Sequence, residues 1–214
     1  MLIVGAGGLA SQVVDDLMEL KKTDIVFWSE LQTKYKFIEE MFPMISTDAE
    51  VINYFANVSS EFILCISNDK SDGRRKMAER FKRMGGIITS FISPFSRVSP
   101  YSSTLGKGTL IVGDVVIEPG VIVGEGTIIN RFCGIGHGCI IGNYCEIGPG
   151  VLMAGEVEIN DACFIGMGAI IHPKIKIGRN VTVAAGSVVT KNIPDNTVVA
   201  GVPAEIKFKK KNAN

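Results

Sequence analysis

Residues 105–189 read LGKGTLIVGDVVIEPGVIVGEGTIINRFCGIGHGCIIGNYCEIGPGVLMAGEVEINDACFIGMGAIIHPKIKIGRNVTVAAGSVV, with an aliphatic side chain at every sixth position. Leu105, Ile111, Ile117, Val123, Ile129, Ile135, Ile141, Ile147, Met153, Ile159, Ile165, Ile171, Ile177, Val183 and Val189 all agree in phase. A period of six fits neither an isolated helix nor a flat strand. It is the period of a parallel β-helix, in which short strands meet at regular corners and equivalent positions stack into one continuous core.

Two further positions of the hexad are patterned. The residue after the aliphatic one is often small or turn-prone (Gly106, Gly124, Asn130, Gly136, Gly142, Gly148, Asn160, Gly166, Gly178), which places the corners that need positive φ there. The position four after it is small or β-branched, as at Thr109, Val115, Val121, Thr127, Val151, Val157, Ala169, Val181 and Ser187. Four of the five cysteines, Cys133, Cys139, Cys145 and Cys163, fall in this inward slot, and Cys65 sits in the apolar run 62–66, so all five read as reduced core residues. There is no CxxC pair and there are only two histidines, which argues against a zinc site and excludes the β-helical γ-carbonic anhydrases, whose metal needs three histidines.

The chain has 214 residues, is 46% hydrophobic and carries a formal net charge of +0, so it can build real cores and has no electrostatic footprint for nucleic acid. It contains neither an apolar run long enough to span a membrane nor a basic segment leading into an apolar one, so a soluble, cytoplasmic protein is expected.

The first half has another grammar. Residues 2–4 form an apolar strand, Gly5-Ala6-Gly7-Gly8-Leu9-Ala10 turns into a helix running to about Leu20, and residues 24–28 form a second strand. A strand over 62–66, a helix over about 72–84 and a strand over Ile87–Phe91 continue the alternation, giving a Rossmann-like α/β sheet whose glycine turn presents backbone N–H groups to phosphate. Some 90 residues supply only half of a doubly wound dinucleotide fold, so a mononucleotide site fits better than a dehydrogenase. The expected organisation is a Rossmann-like nucleotide-binding domain over 1–92, a β-helix over 93–194 and a tail over 195–214.

The hexads resemble those of the hexapeptide acyltransferases, which implies a left-handed, three-sided helix with three hexads per coil and five coils here. Together with the GAGGLA turn, Ser29-Glu30, Ile66-Ser67-Asn68 followed by Arg74-Arg75, and the segments 129–137, 147–155 and 193–204, the chain resembles the PglD/NeuD-like bacterial sugar acetyltransferases. The resemblance implies acetyl transfer from acetyl-CoA to the amine of a nucleotide-linked sugar, typically a UDP- or dTDP-linked 4-amino-4,6-dideoxy sugar. It assigns Gly7, Gly8, Leu9, Ser29, Glu30, Ser67 and Asn130 to that substrate, His137 to general-base catalysis, and Met167 and Ala185 to acetyl-CoA, with Glu146 near its thioester; Gly155, by its place in the stack, and Lys191, by its charge, join the acetyl-CoA candidates. The family usually follows its catalytic histidine with an acid, where this chain has Gly138, and has a second histidine where this chain has Glu146.

The residues support a coherent chemistry. An imidazole at an outward corner suits removal of an ammonium proton. Gly155 lies one 18-residue coil beyond His137, at about 4.8 Å along the stack, where its N–H can receive a thioester oxyanion. Since Gly138 cannot orient the imidazole, Glu146 or a backbone carbonyl is expected to hold its second nitrogen. His172, before Pro173, reads as an ordinary corner residue. Lys174, Lys176, Arg179, Lys191 and the tail lysines Lys207, Lys209, Lys210 and Lys211 are candidates for the coenzyme's phosphates. Outward apolar residues such as Val116, Ile122, Ile128 and Ile140 predict a homotrimer with sites between subunits. A sugar O-acetyltransferase and a non-catalytic nucleotide-sugar-binding β-helix are the alternative functions.

Overall fold

The computed structural model describes residues 1–67, 71–101 and 103–210; Asn68 and Lys211, named above, lie outside these. The N-terminal part comprises β1 (Leu2–Val4), α1 (Gly8–Glu19), β2 (Val26–Trp28), α2 (Lys36–Met41), β3 (Met44–Ile45), α3 (Asp48–Asn57), β4 (Glu61–Leu64), α4 (Ser71–Arg83) and β5 (Ile87–Ile88). Its strands form one parallel sheet in the order β3-β2-β1-β4-β5. The connections reverse direction beside β1, which opens a crevice beyond the carboxyl ends of β1 and β4. α1 forms because Leu9, Ala10, Val13, Val14 and Leu17 recur at helical spacing and are buried together. The hydrophobic pattern does not announce α2, β3 and α3. α3 carries a local start signal instead: the Thr47 hydroxyl accepts from the Glu50 N–H at 3.3 Å while the Glu50 carboxylate accepts from the Thr47 N–H at 2.9 Å.

The expected strand Ile87–Phe91 is two strands. β5 pairs with β4, whereas β6 (Phe91–Ile92) pairs with Leu110–Ile111 and opens the β-helix. The handover falls at Ser90: the Thr89 N–H donates to Phe62 O in the α/β sheet, and the Phe91 N–H donates to Thr109 O in the β-helix.

From there the chain winds through three parallel sheets. The first face holds β6 and the strands at 110–111, 128–129, 146–147, 164–165, 182–183 and 197–200, closed by an antiparallel strand Glu205–Lys209. The second holds 97–98, 116–117, 134–135, 152–153, 170–171 and 188–189, and the third holds 104–105, 122–123, 140–141, 158–159 and 176–177. Partners on successive coils are 18 residues apart through the body of the helix, as in Ile135↔Met153↔Ile171↔Val189. Every aliphatic residue of the series from Ile111 to Val189 is buried in one cluster with the cysteines and valines of the second inward row. Each such burial contributes roughly 1.5–3 kcal/mol relative to exposure. Leu105 packs against the cluster but is only partly buried, since its strand is the open edge of the third face.

The corners correct one expectation. Positive φ falls mostly three residues after the aliphatic position, not directly after it: Gly108, Gly120, Gly126, Phe132, Gly138, Tyr144, Gly150, Glu156, Ala162, Gly168, Lys174, Asn180 and Gly186 adopt it. The glycines directly after the aliphatic residue answer a different constraint. A Cβ at Gly136 would lie 2.7 Å from Ala154 C, at Gly142 2.6 Å from Asp161 N, and at Gly166 2.5 Å from Ala185 N, so these positions let one coil's backbone rest on the next.

The α/β part packs on the outside of the first face. Leu110, Val112 and Ile128 share a buried cluster with Val13, Leu17 and Phe27, so Ile128, at 1% exposed, is covered within the chain and does not belong to an outward apolar surface. Val116, Ile122 and Ile140, on the other two faces, remain exposed.

These contacts predict opposite signs for two glycine substitutions. Gly142→Ala should cost about 1–3 kcal/mol by forcing two coils apart. Gly73→Ala, inside α4 with nothing within 4 Å of the added methyl, should gain roughly 0.5–1 kcal/mol. Chemical denaturation of the two variants against the parent chain measures both.

Candidate active site

The crevice beyond β1 and β4 encloses about 570 Å³ and is lined by Gly5, Ala6, Gly7, Gly8, Leu9, Trp28, Ser29, Glu30, Leu31, Gln32, Thr33, Lys34, Tyr35, Cys65, Ile66, Ser67 and Met77. It gathers Gly7, Gly8, Leu9, Ser29, Glu30 and Ser67, six of the seven residues assigned to the substrate from sequence. Gly7 caps α1 with extended backbone and no side-chain cap, leaving the helix's first N–H groups facing the crevice loop. Glu30 is held by Arg80 of α4 at 2.6 Å; the same guanidinium binds Asp48 at 2.6 Å and lies 5.2 Å from the centre of the Trp28 ring. These carboxylates hold the Arg80 guanidinium above its usual pKa.

Asn130 stands elsewhere. Its side-chain amide donates to Ile147 O at 2.9 Å on the next coil and is buried there, so in this chain it serves the coil stack and not the crevice.

His137 occupies an exposed corner at the end of a second-face strand, and its ring lies over Gly155. A Cβ at Gly155 would come 2.5 Å from both Cε1 and Nε2 of the imidazole. Glycine is therefore what leaves room for the ring on the next coil. The His137 N–H donates to Glu118 Oε2 at 2.7 Å, and the His137 carbonyl accepts from the Glu156 N–H at 2.8 Å, so the backbone carrying the imidazole is fixed from both neighbouring coils. A cavity of about 340 Å³ lies beside this corner, with Glu118, Gly136, Ala154, His172 and Pro173 along one side and Val116, Leu152 and Ile170 on its floor.

Glu146 is not the partner of His137 within the chain. It lies on the first face, facing the α/β part, where Arg74 Nη1 donates to its Oε2 at 2.8 Å and the Ser67 hydroxyl donates to its Oε1 at 2.5 Å. Arg74 is 1% exposed, and its Nη2 donates to Tyr144 O at 2.7 Å and Cys145 O at 3.0 Å. Desolvation pulls the guanidinium's pKa below its ordinary value, opposed by the Glu146 charge. The carboxylate expected to orient the imidazole instead ties the nucleotide crevice, through Ser67, to the β-helix. The sequence signal that points to this pair is an acid on an outward position of a strand whose neighbours there, Ile128 and Phe164, are apolar.

The residues assigned to acetyl-CoA divide between two corners. Gly155 and Lys191 stack in the His137 column, where the in-register second-face strands end. Met167 and Ala185 stack in another column, at the opposite edge of that face, and both are exposed. Lys191 is exposed and paired with Glu205 at 3.0 Å, and Lys174 and Lys176 sit near Glu156 and Glu158 at 3.9 and 2.9 Å. Among the described residues no group of three or more His, Cys, Asp or Glu side chains is placed to hold a metal, and no helix is long and apolar enough to cross a membrane.

A Rossmann-like sheet with a nucleotide-sized crevice, set on a hexapeptide-repeat β-helix with a histidine stacked on glycine, defines the class of this molecule. The bacterial transferase hexapeptide family model matches residues 121–155 and 156–191. Over nearly its whole length the chain has the architecture of PglD/NeuD-type sugar acetyltransferases, with a left-handed helix. It is similar to a perosamine N-acetyltransferase variant from Caulobacter crescentus, solved in complex with CoA and GDP-perosamine: 28% identity, 97% of this chain and 96% of that one, TM-score 0.85. It is equally similar to the acetyltransferase domain of PglB from Neisseria gonorrhoeae, with 27% identity, 96% and 98% coverage and a TM-score of 0.84. Curated relatives match over shorter stretches: the bifunctional protein GlmU of Lactococcus lactis is 35% identical over 124 residues, 56% of this chain and 23% of that protein. A galactoside O-acetyltransferase of Lactococcus lactis is 51% identical over 37 residues, 17% of this chain and 18% of that protein. The chain thus spans less than a quarter of the length of these curated relatives.

Breaking the buried pair should be costly. Glu146→Ala leaves the Arg74 charge without its counter-ion and should destabilise the chain by about 3–5 kcal/mol, whereas the double change Arg74→Met with Glu146→Leu should restore most of that loss. Thermal and urea denaturation of the single and double variants test the asymmetry.

Proposed function

We propose that the chain transfers an acetyl group from acetyl-CoA to the amine of a nucleotide-linked amino sugar, with the nucleotide in the α/β crevice and the coenzyme along the β-helix. The observation that carries this reading is the convergence of Gly7, Gly8, Leu9, Ser29, Glu30 and Ser67 on one crevice in a chain whose β-helix presents His137 over Gly155. The Caulobacter structure, with CoA and GDP-perosamine bound to a protein of the same architecture, supports it. A 4-amino-4,6-dideoxy sugar linked to UDP or dTDP is our preferred acceptor, and GDP joins the test panel because of that complex. We assign the enzyme to cytoplasmic glycan biosynthesis.

In the proposed reaction His137 takes a proton from the substrate ammonium, and the neutral amine attacks the thioester carbonyl carbon. The tetrahedral oxyanion is received by the Gly155 N–H; its collapse forms the amide and expels coenzyme A thiolate, which takes the second proton from the amine nitrogen and leaves as the thiol. No covalent enzyme intermediate is needed. Glu118, on the His137 N–H, replaces what an acid at position 138 contributes by fixing the corner through its backbone.

We further propose that the working unit is a homotrimer. Within one chain the His137–Gly155 corner and the Met167–Ala185 corner lie on opposite edges of the second face, so a groove using both needs a neighbouring copy. Exposed Val116, Leu152 and Ile170 on that face, and Ile122 and Ile140 on the third, supply apolar surface for the contact. The curated galactoside O-acetyltransferase match keeps hydroxyl acceptors in the panel.

Two substitutions test the chemistry. His137→Ala should lower kcat about 10²–10⁴-fold with little effect on acetyl-CoA affinity. Gly155→Ala drives a methyl into the imidazole and should lower kcat about 10²-fold through misplacement alone. Assays with UDP-, dTDP- and GDP-linked amino sugars against sialic acids and galactosides identify the acceptor; no turnover on any amino sugar rejects the N-acetyltransferase reading.

Gly8→Asp tests the division of labour, because a carboxylate at the α1 N-terminus repels the substrate's phosphates. Sugar-nucleotide binding should weaken while coenzyme A binding is kept; calorimetry showing both ligands equally affected rejects the assignment.

A further inference from the structure

Beyond the residues assigned so far, the loop Ser29–Tyr35 lines the crevice along its whole length and is fastened at several points. The Ser29 hydroxyl donates to Leu31 O at 2.7 Å. The Thr33 hydroxyl donates to Ala6 O, in the glycine turn itself, at 2.5 Å, and accepts from the Tyr35 N–H at 3.1 Å. Tyr35 in turn caps α2, its carbonyl accepting from the Ile38 N–H at 2.9 Å, and its ring meets Phe37 edge-on at 6.3 Å. The result is a pre-shaped strap whose last two side chains, Lys34 and Tyr35, both line the crevice.

The strap delivers Tyr35 to a defined place. Its hydroxyl lies 3.0 Å from where a Cβ of Gly8 would stand, directly over the first residue of α1. Gly8 is thus free of a side chain on the side that Tyr35 occupies. Among the described residues neither the Tyr35 hydroxyl nor the Lys34 ammonium has a hydrogen-bond or ion-pair partner, and the wall residue Trp28, 3% exposed, carries a buried indole N–H that is likewise unpartnered. One ammonium, one hydroxyl donor and the open N–H groups of a helix start are the donor set that a diphosphate requires, and the lining carboxylate, Glu30, is held aside by Arg80.

We propose that Lys34 and Tyr35 are the side-chain ligands of the substrate's diphosphate, Tyr35 donating its hydroxyl hydrogen to a phosphate oxygen over Gly8 and Lys34 supplying the counter-charge. This rests on the nucleotide-sugar reading above and adds to it the two groups that distinguish a nucleoside diphosphate from a nucleoside. Thr33 acts one step back, as a positioning residue that fastens the strap to the glycine turn.

Titration calorimetry of the full chain with UDP, GDP and dTDP, and with uridine, guanosine and thymidine, tests the proposal. Tyr35→Phe keeps the ring and its contact with Phe37, so its melting temperature should match the parent's. It should weaken the bound nucleoside diphosphate about ten- to a hundred-fold, the range of one charge-assisted hydrogen bond, and leave the matching nucleoside unchanged. Lys34→Gln should weaken the same diphosphate and flatten the salt dependence of its binding. Diphosphate affinity unchanged in Tyr35→Phe, or lowered equally for nucleoside and diphosphate, overturns the assignment of Tyr35; an unchanged salt dependence in Lys34→Gln overturns that of Lys34. A parent chain that binds none of the three diphosphates overturns the nucleotide reading itself, and the proposal with it.

Discussion

The constraint on which everything else rests is that equivalent residues of successive coils must lie one strand spacing apart. In-register pairing at intervals of 18 residues decides which side chains are inward, which glycines are obligatory and which surface residues stand in columns. It buries Ile135, Met153, Ile171 and Val189 in one row, and the same repeat puts the His137 ring on Gly155. The site histidine owes its orientation to the coil spacing that builds the core. Where a glycine follows the inward aliphatic residue, as at Gly106, Gly136, Gly148 and Gly166, it is part of that constraint, because a methyl there would meet backbone of the next coil and no side chain could move away to relieve it.

The α/β part is bound to this rigid stack by two unlike contacts. One is apolar, with Leu110, Val112 and Ile128 buried against the α1 side. The other is the Arg74–Glu146 pair, in which one guanidinium meets a carboxylate and two main-chain carbonyls while Ser67 occupies the second carboxylate oxygen. An ion pair taken out of water returns little net stability, since desolvation offsets the attraction. What it supplies is register. An apolar patch tolerates sliding by a fraction of a side chain, whereas four directional bonds admit one placement. That placement fixes Ser67, and with it the third loop of the crevice.

Legibility from sequence followed the range of the interaction concerned. The inward rows were legible from Ile111 to Val189 because every coil imposes the same demand on the same position; only Leu105, on an edge strand, falls short of full burial. The glycine turn of α1 and Ser29–Glu30 were legible because crevice loops at strand ends follow from sheet order. The location of positive φ was misread because small residues occupy two hexad positions for two reasons, steric approach at one and backbone conformation at the other. That Asn130 lies outside the crevice and Glu146 faces Arg74 was less legible, because the pattern of one strand does not separate an internal contact from a ligand contact; for Glu146 only the apolar neighbours on adjacent coils, Ile128 and Phe164, point to an internal partner. The partners of Asn130 and Glu146, Ile147 O and Arg74, are 17 and 72 residues away. Tyr35 belongs to the same blind spot: only the folded loop, fastened by Thr33 to Ala6, carries it to Gly8.

At position 138 this chain has no acid: Gly138 takes the corner with a φ of +65°, as Glu156 takes the equivalent corner one coil on with a φ of +61°. This chain instead draws its acid from the preceding coil, where Glu118 accepts the His137 N–H at 2.7 Å. The contact fixes the backbone from which the ring projects, Gly155 leaves room for the ring on the next coil, and both come from coils already held by ladder hydrogen bonds. Orientation of the proposed base is thereby spread over three successive coils, so it needs no dedicated partner for the second ring nitrogen and leaves Glu146 free to join the two halves of the molecule.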